Sequence, residues 1–204
     1  MISNSINLSD PDLAARIRRQ DRVALEAVID AYLAQVVRAA RGAGLSQHQA
    51  EEVAQNTFTA FLETAPRFEG RSHIRTWIFW ILYRKIQEAR RGFARDRQFD
   101  DIDEVMESRF GSTGRWSQPP GGPEKDLLAK EARREVADCL DATPDAQRMA
   151  FVFREVEGLS TEEICNILDV TATNLGVMLY RVRNRLRNCL ETKWEQAQNT
   201  HADL

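Results

Sequence analysis

Between Phe68 and Arg91 the chain interleaves basic and aromatic side chains, in the run FEGRSHIRTWIFWILYRKIQEARR. Trp77, Phe79, Trp80 and Tyr83 stand among Arg71, Arg75, Arg84, Lys85 and Arg91. Cations hold phosphates and flat apolar rings stack on unstacked bases, so this pairing is what binding of single-stranded DNA requires. The short loop Arg67–His73, with Gly70 inside it, also has the size to close around one flipped-out base. A plainer reading fits the same residues. Trp77, Ile78, Ile81 and Leu82 recur at core spacing, and the basic residues can form a solvated helix face.

A second window, STEEICNILDVTATNLGVMLYRVRNRLR from Ser160 to Arg187, has the pattern of a helix-turn-helix. Ser160 and Glu163 make a capping box, and Ile164, Ile167 and Leu168 give the first helix one apolar stripe. Asp169-Val170-Thr171 breaks it, with Thr171 as the next N-cap. Leu175, Leu179, Val182 and Leu186 then point inward. Thr173, Asn174, Val177, Met178, Arg181 and Arg185 are left for the other side, where a recognition helix meets a major groove. Taken alone, the window also fits a helical hairpin with a solvated basic end.

A third feature is polar. The segment SQHQAEEVAQNTFTAFLE carries an apolar stripe of Val53, Phe58, Phe61 and Leu62 opposite Glu52, Gln55, Asn56 and Thr59. Short polar side chains are good hydrogen-bonding partners for another protein surface, though an ordinary solvated face would look similar.

Catalysis has no visible apparatus. His48, His73 and His201 are scattered, and there is no metal-ligand spacing, nucleophile motif or phosphate-binding glycine loop. Neither an enzyme, a metal nor a cofactor is expected. Cys139, Cys165 and Cys189 show neither zinc spacing nor a disulfide framework and read as small core residues, with a redox switch as the lesser alternative.

The elements that must position these residues are helical almost throughout, so the expected fold class is all-α. The 204 residues suffice for one ordinary domain or two small ones. A first helix is expected from Ser9 or Asp10 with Pro11 at its first position, then one through Val23, Ala27, Val28, Ala31, Tyr32 and Val36 that ends near Gly42 and Gly44. Ser46 and Gln49 form another capping box, opening a helix that stops before Pro66. Ser72 is placed to cap a long helix to about Arg95. The stretch that follows is acidic and then rich in Gly, Ser and Pro, GSTGRWSQPPGGP, which is a linker composition. Helices resume at Glu124, restart after Thr143-Pro144, break at Gly158 and enter the helix-turn-helix. The organisation is thus 1–96, a flexible linker over 97–123, a second helical domain over 124–194 and a polar tail over 195–204.

Net charge is −3, which does not by itself favour nucleic acid. The distribution does. From Arg67 to Arg97 nine basic residues face three acidic ones, and Arg181, Arg183, Arg185 and Arg187 follow without an intervening acid. Two basic patches with acidic surfaces elsewhere suit a protein that touches DNA at two places and another protein between them. No apolar run approaches the roughly 20 residues of a membrane span. The N-terminus MISNSINLSDPD does not read as a signal peptide. A cytoplasmic protein without membrane insertion is expected.

AEEVAQNTF at Ala50–Phe58, FEGRSHIRTWIFWI at Phe68–Ile81 and the block VEGLSTEEICNILDVT together resemble conserved regions two and four of bacterial extracytoplasmic-function sigma factors. The resemblance covers nearly all of 9–190, in order. It implies that Glu52, Gln55, Asn56 and Thr59 dock on the clamp coiled coil of core RNA polymerase. Phe68, Gly70, Arg71 and Ser72 would form the loop that captures a base of the melted minus-ten element. Arg75, Trp77, Arg84, Lys85 and Arg91 would support the junction of duplex and melted DNA. Thr171, Thr173, Asn174, Val177, Met178, Arg181 and Arg185 would meet the minus-thirty-five element. The implied partners are core RNA polymerase, promoter DNA and an anti-sigma factor.

Four positions depart from the family pattern. Arg84 replaces the usual Asn, Glu88 the common Asp, and Gly176 and Met178 stand where basic residues are frequent. Glycine inside a helix costs about 1 kcal/mol relative to Ala, so Gly176 is expected where DNA or another helix comes close. A free-standing helix-turn-helix regulator would explain Ser160–Arg187 but not the aromatic and basic run of Phe68–Arg91. A helical protein-interaction module would leave both basic patches incidental.

Overall fold

The computed structural model describes Leu8, residues 12–93 and residues 134–202. The expected linker, the boundaries at 96 and 124 and the helix start at Ser9–Pro11 lie outside the described residues. Among those described the fold is all-α, as expected, without a strand.

Helix α1 spans Leu13–Arg18 and meets α2, Arg22–Gly42, at a corner where Gln20 takes a left-handed φ of 58°. Asp21 closes the corner. Its carboxylate accepts from the N–H groups of Val23 and Ala24 and pairs with Arg16 at 2.9 Å. The hydrogen bond from Arg16, then the Ala24 N–H, holds its carboxyl below the ordinary range against the opposing effect of burial. Helix α2 buries Ala24, Val28, Tyr32, Val36, Ala39 and Ala40. Val23, expected in that stripe, is exposed. At this corner Asp21 is the N-cap and Ala24, one residue further on, is the first inward position.

Helix α3, Gln47–Thr64, opens on the Ser46–Gln49 capping box, with both reciprocal hydrogen bonds made. A 3-10 turn, Ala65–Arg67, contains Pro66 and ends it. Leu62 lies outside the apolar stripe and is exposed. Helix α4 runs over Ile74–Phe93. Its cap is His73, not Ser72: Nδ1 of the imidazole accepts from the Arg75 N–H at 3.2 Å. Histidine is an infrequent cap, and the serine beside it was the stronger sequence signal.

The second block begins with α5, described over 134–141, and α6, Asp145–Phe151, with Pro144 at its cap position. A wide π turn, Val152–Val156, prolongs α6 and delivers Glu157 and Leu159 back onto the carbonyls of Val152 and Phe153. Helix α7, Thr161–Leu168, has the Ser160–Glu163 capping box complete, and it ends at Asp169 with φ 57°. Helix α8 covers Ala172–Ala202, so the backbone stays helical beyond Trp194, where a polar tail was expected.

The two blocks share one core. Phe61, Ile78, Phe79 and Ile86 of the first join Met149, Phe153, Leu159, Ile164 and Leu175 of the second in a single buried cluster. The Phe79 and Phe153 rings meet edge to face with centroids 5.6 Å apart. Fully burying such a side chain contributes about 1.5–3 kcal/mol. Polar contacts tie the same seam. Arg38 of α2 forks onto the Glu157 carboxylate with two 2.8 Å bonds. Arg148, itself buried, donates to the Gly42 carbonyl at 2.7 Å and pairs with Asp141 at 2.6 Å. Arg90 pairs with Asp145. Gly44 has φ +89°, and any Cβ there would stand 2.8 Å from the Arg148 guanidinium.

A smaller cluster pairs α5 with α8: Cys139, Leu140, Val182 and Leu186, edged by Val136, Phe151, Cys189 and Leu190. Cys139 and Cys189 form a disulfide, Cα–Cα 5.9 Å, while Cys165 is free and half-buried. The bonded pair corrects the expectation of separate core thiols. The cysteines are 50 residues apart in sequence, and only the helix pairing brings them together.

Candidate nucleic-acid interface

The loop between the 3-10 turn and α4 has a buried base and an exposed tip. Phe68 is buried and stacks on Trp77, centroids 4.7 Å apart and planes 14° from parallel. Trp77, partly buried, in turn meets Phe61 edge-on at 5.7 Å. Glu69, Gly70, Arg71, Ser72 and His73 are exposed above this stack. Arg71 Nε lies 2.5 Å from Glu69 Oε2, both in solvent. Gly70 takes φ +71°, a conformation side chains resist, and a Cβ there would approach the Ala14 methyl to 2.9 Å. Of the four loop residues singled out by sequence, Gly70, Arg71 and Ser72 form the accessible rim and Phe68 its footing.

Along α4 the outward residues continue from this rim. Arg84 is exposed, with its guanidinium 4.9 Å from the ring centre of exposed Trp80. Arg91 is exposed and Lys85 pairs with Glu88 at 2.8 Å. Trp80 was not among the site residues read from sequence. Its spacing of four from Arg84 on a helix was the available signal.

Arg75 does not share this surface. It is half-buried, its guanidinium donates to the Glu157 carbonyl, and it lies 5.6 Å from the Phe79 ring centre. Its charge also reaches Glu163. Burial pushes the Glu163 carboxyl up, but hydrogen bonds from the backbone and hydroxyl of Ser160, the charge of Arg75 and the Thr76 hydroxyl outweigh it, and the net shift is downward.

On α3, Glu52, Gln55, Asn56 and Thr59 are all exposed on one side, opposite buried Val53, Thr57, Phe58 and Phe61. The Thr57 hydroxyl, on the buried side, is satisfied within the helix by the Val53 carbonyl at 2.7 Å.

In the second block, Thr171 caps α8 by accepting from the Asn174 N–H at 3.2 Å. Thr171, Thr173, Asn174, Val177 and Arg181 are exposed along the first turns of that helix, and Arg185 is half-buried. Met178 departs from this row. It is buried in the shared core with Leu175 and Leu179, so α8 buries a wider stripe than the leucines alone indicated. Nothing among the described residues comes within 4 Å of a Cβ at Gly176, so no other described helix explains that glycine. Arg183 is turned to Glu155 at 2.5 Å. No described helix is long and apolar enough to cross a membrane.

Residues 28–96 match the Sigma-70 region 2 family and residues 133–186 match Sigma-70, region 4. A probable RNA polymerase sigma factor of Haemophilus influenzae is 33% identical over 152 residues, covering 71% of this chain and 78% of the relative. The ECF RNA polymerase sigma-E factor of Escherichia coli K12 is 26% identical over 184 residues, 90% of this chain and 95% of that one. Among solved structures, CnrH in complex with the cytosolic domain of CnrY superposes with a TM-score of 0.65 at 19% identity, covering 88% of this chain and 96% of that one. The sigma factor RpoE in complex with the anti-sigma factor NepR from Bartonella quintana gives 0.60 at 22% identity, covering 81% and 96%. The chain belongs to the sigma-70 family of RNA polymerase sigma factors, in its extracytoplasmic-function group.

Proposed function

We propose that the chain binds core RNA polymerase through the outer row of α3, reads promoter DNA with α8 and promotes its melting with the loop before α4. The observation that carries this reading is the arrangement of the loop: an exposed rim of Gly70, Arg71 and Ser72 on the Phe68–Trp77 stack, continued by the Trp80–Arg84 pair. A rigid footing with flat and cationic groups around it suits an unstacked base better than duplex DNA. Glu52, Gln55, Asn56 and Thr59 supply hydrogen-bonding groups on one face for the polymerase. Its place of action is then the cytoplasm, with the polymerase.

The shared core implies a step before promoter binding. The minus-ten and minus-thirty-five elements are separated by about 25 base pairs, or about 85 Å at ~3.4 Å per base pair. A compact body of some 200 residues has a radius of gyration near 17 Å and is about 45 Å across. Regions two and four therefore part when both elements are held, and Arg75 is released from the Glu157 carbonyl as they do. An anti-sigma factor that favours the packed arrangement would hold the protein inactive, and the two solved neighbours, CnrH in complex with the cytosolic domain of CnrY and RpoE with the anti-sigma factor NepR, are in keeping with such a partner.

The test is run-off transcription with core polymerase. The full chain should direct specific initiation, and replacing Gln55 and Asn56 with arginine should abolish polymerase binding while leaving the helical circular dichroism unchanged. Unaltered binding by that variant would remove the docking assignment. A free-standing operator-binding regulator would show specific DNA binding in the absence of polymerase and no run-off product in its presence.

A further inference from the structure

The disulfide between Cys139 and Cys189 is not used by any step above. It joins the first described helix of the second block to the helix that carries Asn174 and Arg181. Apart from it, α5 is held on α8 by a small apolar cluster and by surface contacts: Lys193 to Asp138 at 3.4 Å and Trp194 Nε1 to Glu135 at 3.3 Å. Such exposed contacts are individually weak. Helix α5 also supplies Asp141, which positions the buried Arg148 that reaches across to the Gly42 carbonyl. What fixes α5 on α8 thus bears on the seam between the two blocks.

A disulfide in a protein that works beside polymerase stands in a compartment that keeps most thiols reduced, where such bonds are commonly transient and redox-sensing. The two sulfurs differ in access. Cys139 is buried and Cys189 is half-buried, one helical turn from Arg185 and from Lys193. Arg185 and Lys193 flank Cys189 by one turn on the same helix, Lys193 shared with Asp138, and neighbouring cations favour a thiolate that can react with an oxidant.

We propose that Cys139 and Cys189 are a reversible thiol–disulfide couple that responds to hydroperoxides and, when oxidised, locks α5 onto the DNA-reading helix. In the first step the Cys189 thiolate attacks a peroxide oxygen; the O–O bond breaks, sulfur is oxidised to the sulfenic acid, and peroxide is reduced to water. In the second step Cys139 attacks that sulfur, the S–S bond forms, and the sulfenic oxygen leaves as water. Each hydrogen peroxide consumes two thiols and yields two waters. A dithiol reductant reverses the change by exchange.

The full-length protein, reduced and then treated with equimolar hydrogen peroxide, tests this. Titratable thiols should fall from three to one per chain, with Cys165 the survivor, and peptide mapping should find Cys139 joined to Cys189. The melting temperature should rise by about 5 °C or more on oxidation and return with dithiothreitol. Cys165→Ser should behave the same way. Cys189→Ser should fold yet show no oxidative rise. Three thiols surviving peroxide, a bond involving Cys165, or a melting temperature indifferent to oxidation would each overturn the proposal.

Discussion

The carboxylate of Glu157 is completely buried, and the guanidinium of Arg38 that clasps it is half in solvent. The hydrogen bond to Glu157 raises the Arg38 guanidinium further above its ordinary value, so Arg38 keeps its charge at any working pH. The asymmetry of burial makes the two partners unequal. Arg38→Ala would strand a charge in the seam and is expected to cost about 2–4 kcal/mol. Glu157→Gln leaves Arg38 free to hydrate and should cost only about 1 kcal/mol. Urea denaturation of both variants checks the difference, and equal losses would contradict it.

Helix α7 should show an acid dependence of its own. The folded-state value of Glu163 is depressed, so its contribution is present above the ordinary carboxylate value of 4.5 and is lost as pH falls through the depressed value. Thermal melts between about pH 6 and about pH 3 should show a steeper loss in the wild type than in Glu163→Gln. Parallel curves would mean that the capping box does not respond to this carboxyl.

In the loop, alanine at both Arg71 and Ser72 removes polar groups from the rim without touching the Phe68–Trp77 footing. The variant should form closed promoter complexes normally but lose permanganate reactivity at the minus-ten element several-fold. Normal melting on an unchanged promoter would deny the rim a role in capturing a base.

On α8, Arg181→Ala separates two kinds of contact. A side chain that reads a base edge carries about 1–3 kcal/mol of discrimination, so its loss should relax preference at one or two minus-thirty-five positions. A phosphate contact would instead lower the salt slope by about one. A panel of promoter variants assayed at two salt concentrations tells these apart. No change in either would leave Arg181 without a part in DNA binding.

Local chemistry made much of this fold legible in advance. The capping boxes at Ser46–Gln49 and Ser160–Glu163, and the Thr171 cap, depend on neighbours three residues apart, and all are formed. The exposed row of Glu52, Gln55, Asn56 and Thr59 followed from helical period alone. What escaped the sequence was mostly non-local. The burial of Met178 depends on an opposing block, the tether on Arg75 on a backbone carbonyl 82 residues away, and the Cys139–Cys189 bond on how α5 lies along α8. His73 was missed for a different reason: its capping competes with a better-known cap one position earlier.

The core common to both blocks also sets a thermodynamic threshold for partners. Separating α4 from the π turn would bring Phe79 and Phe153, now without solvent exposure, into contact with water. The parted state is therefore the minor one in the isolated protein, and the apparent affinity of any ligand that needs it is the intrinsic affinity scaled down by its population. Under the proposed function, polymerase and promoter would draw on the parted state and an anti-sigma factor on the packed one, all through a single closing equilibrium. A substitution that shifts that equilibrium, such as Phe153→Ala, is then expected to alter the apparent affinity for all three, although Phe153 itself has no solvent-exposed surface.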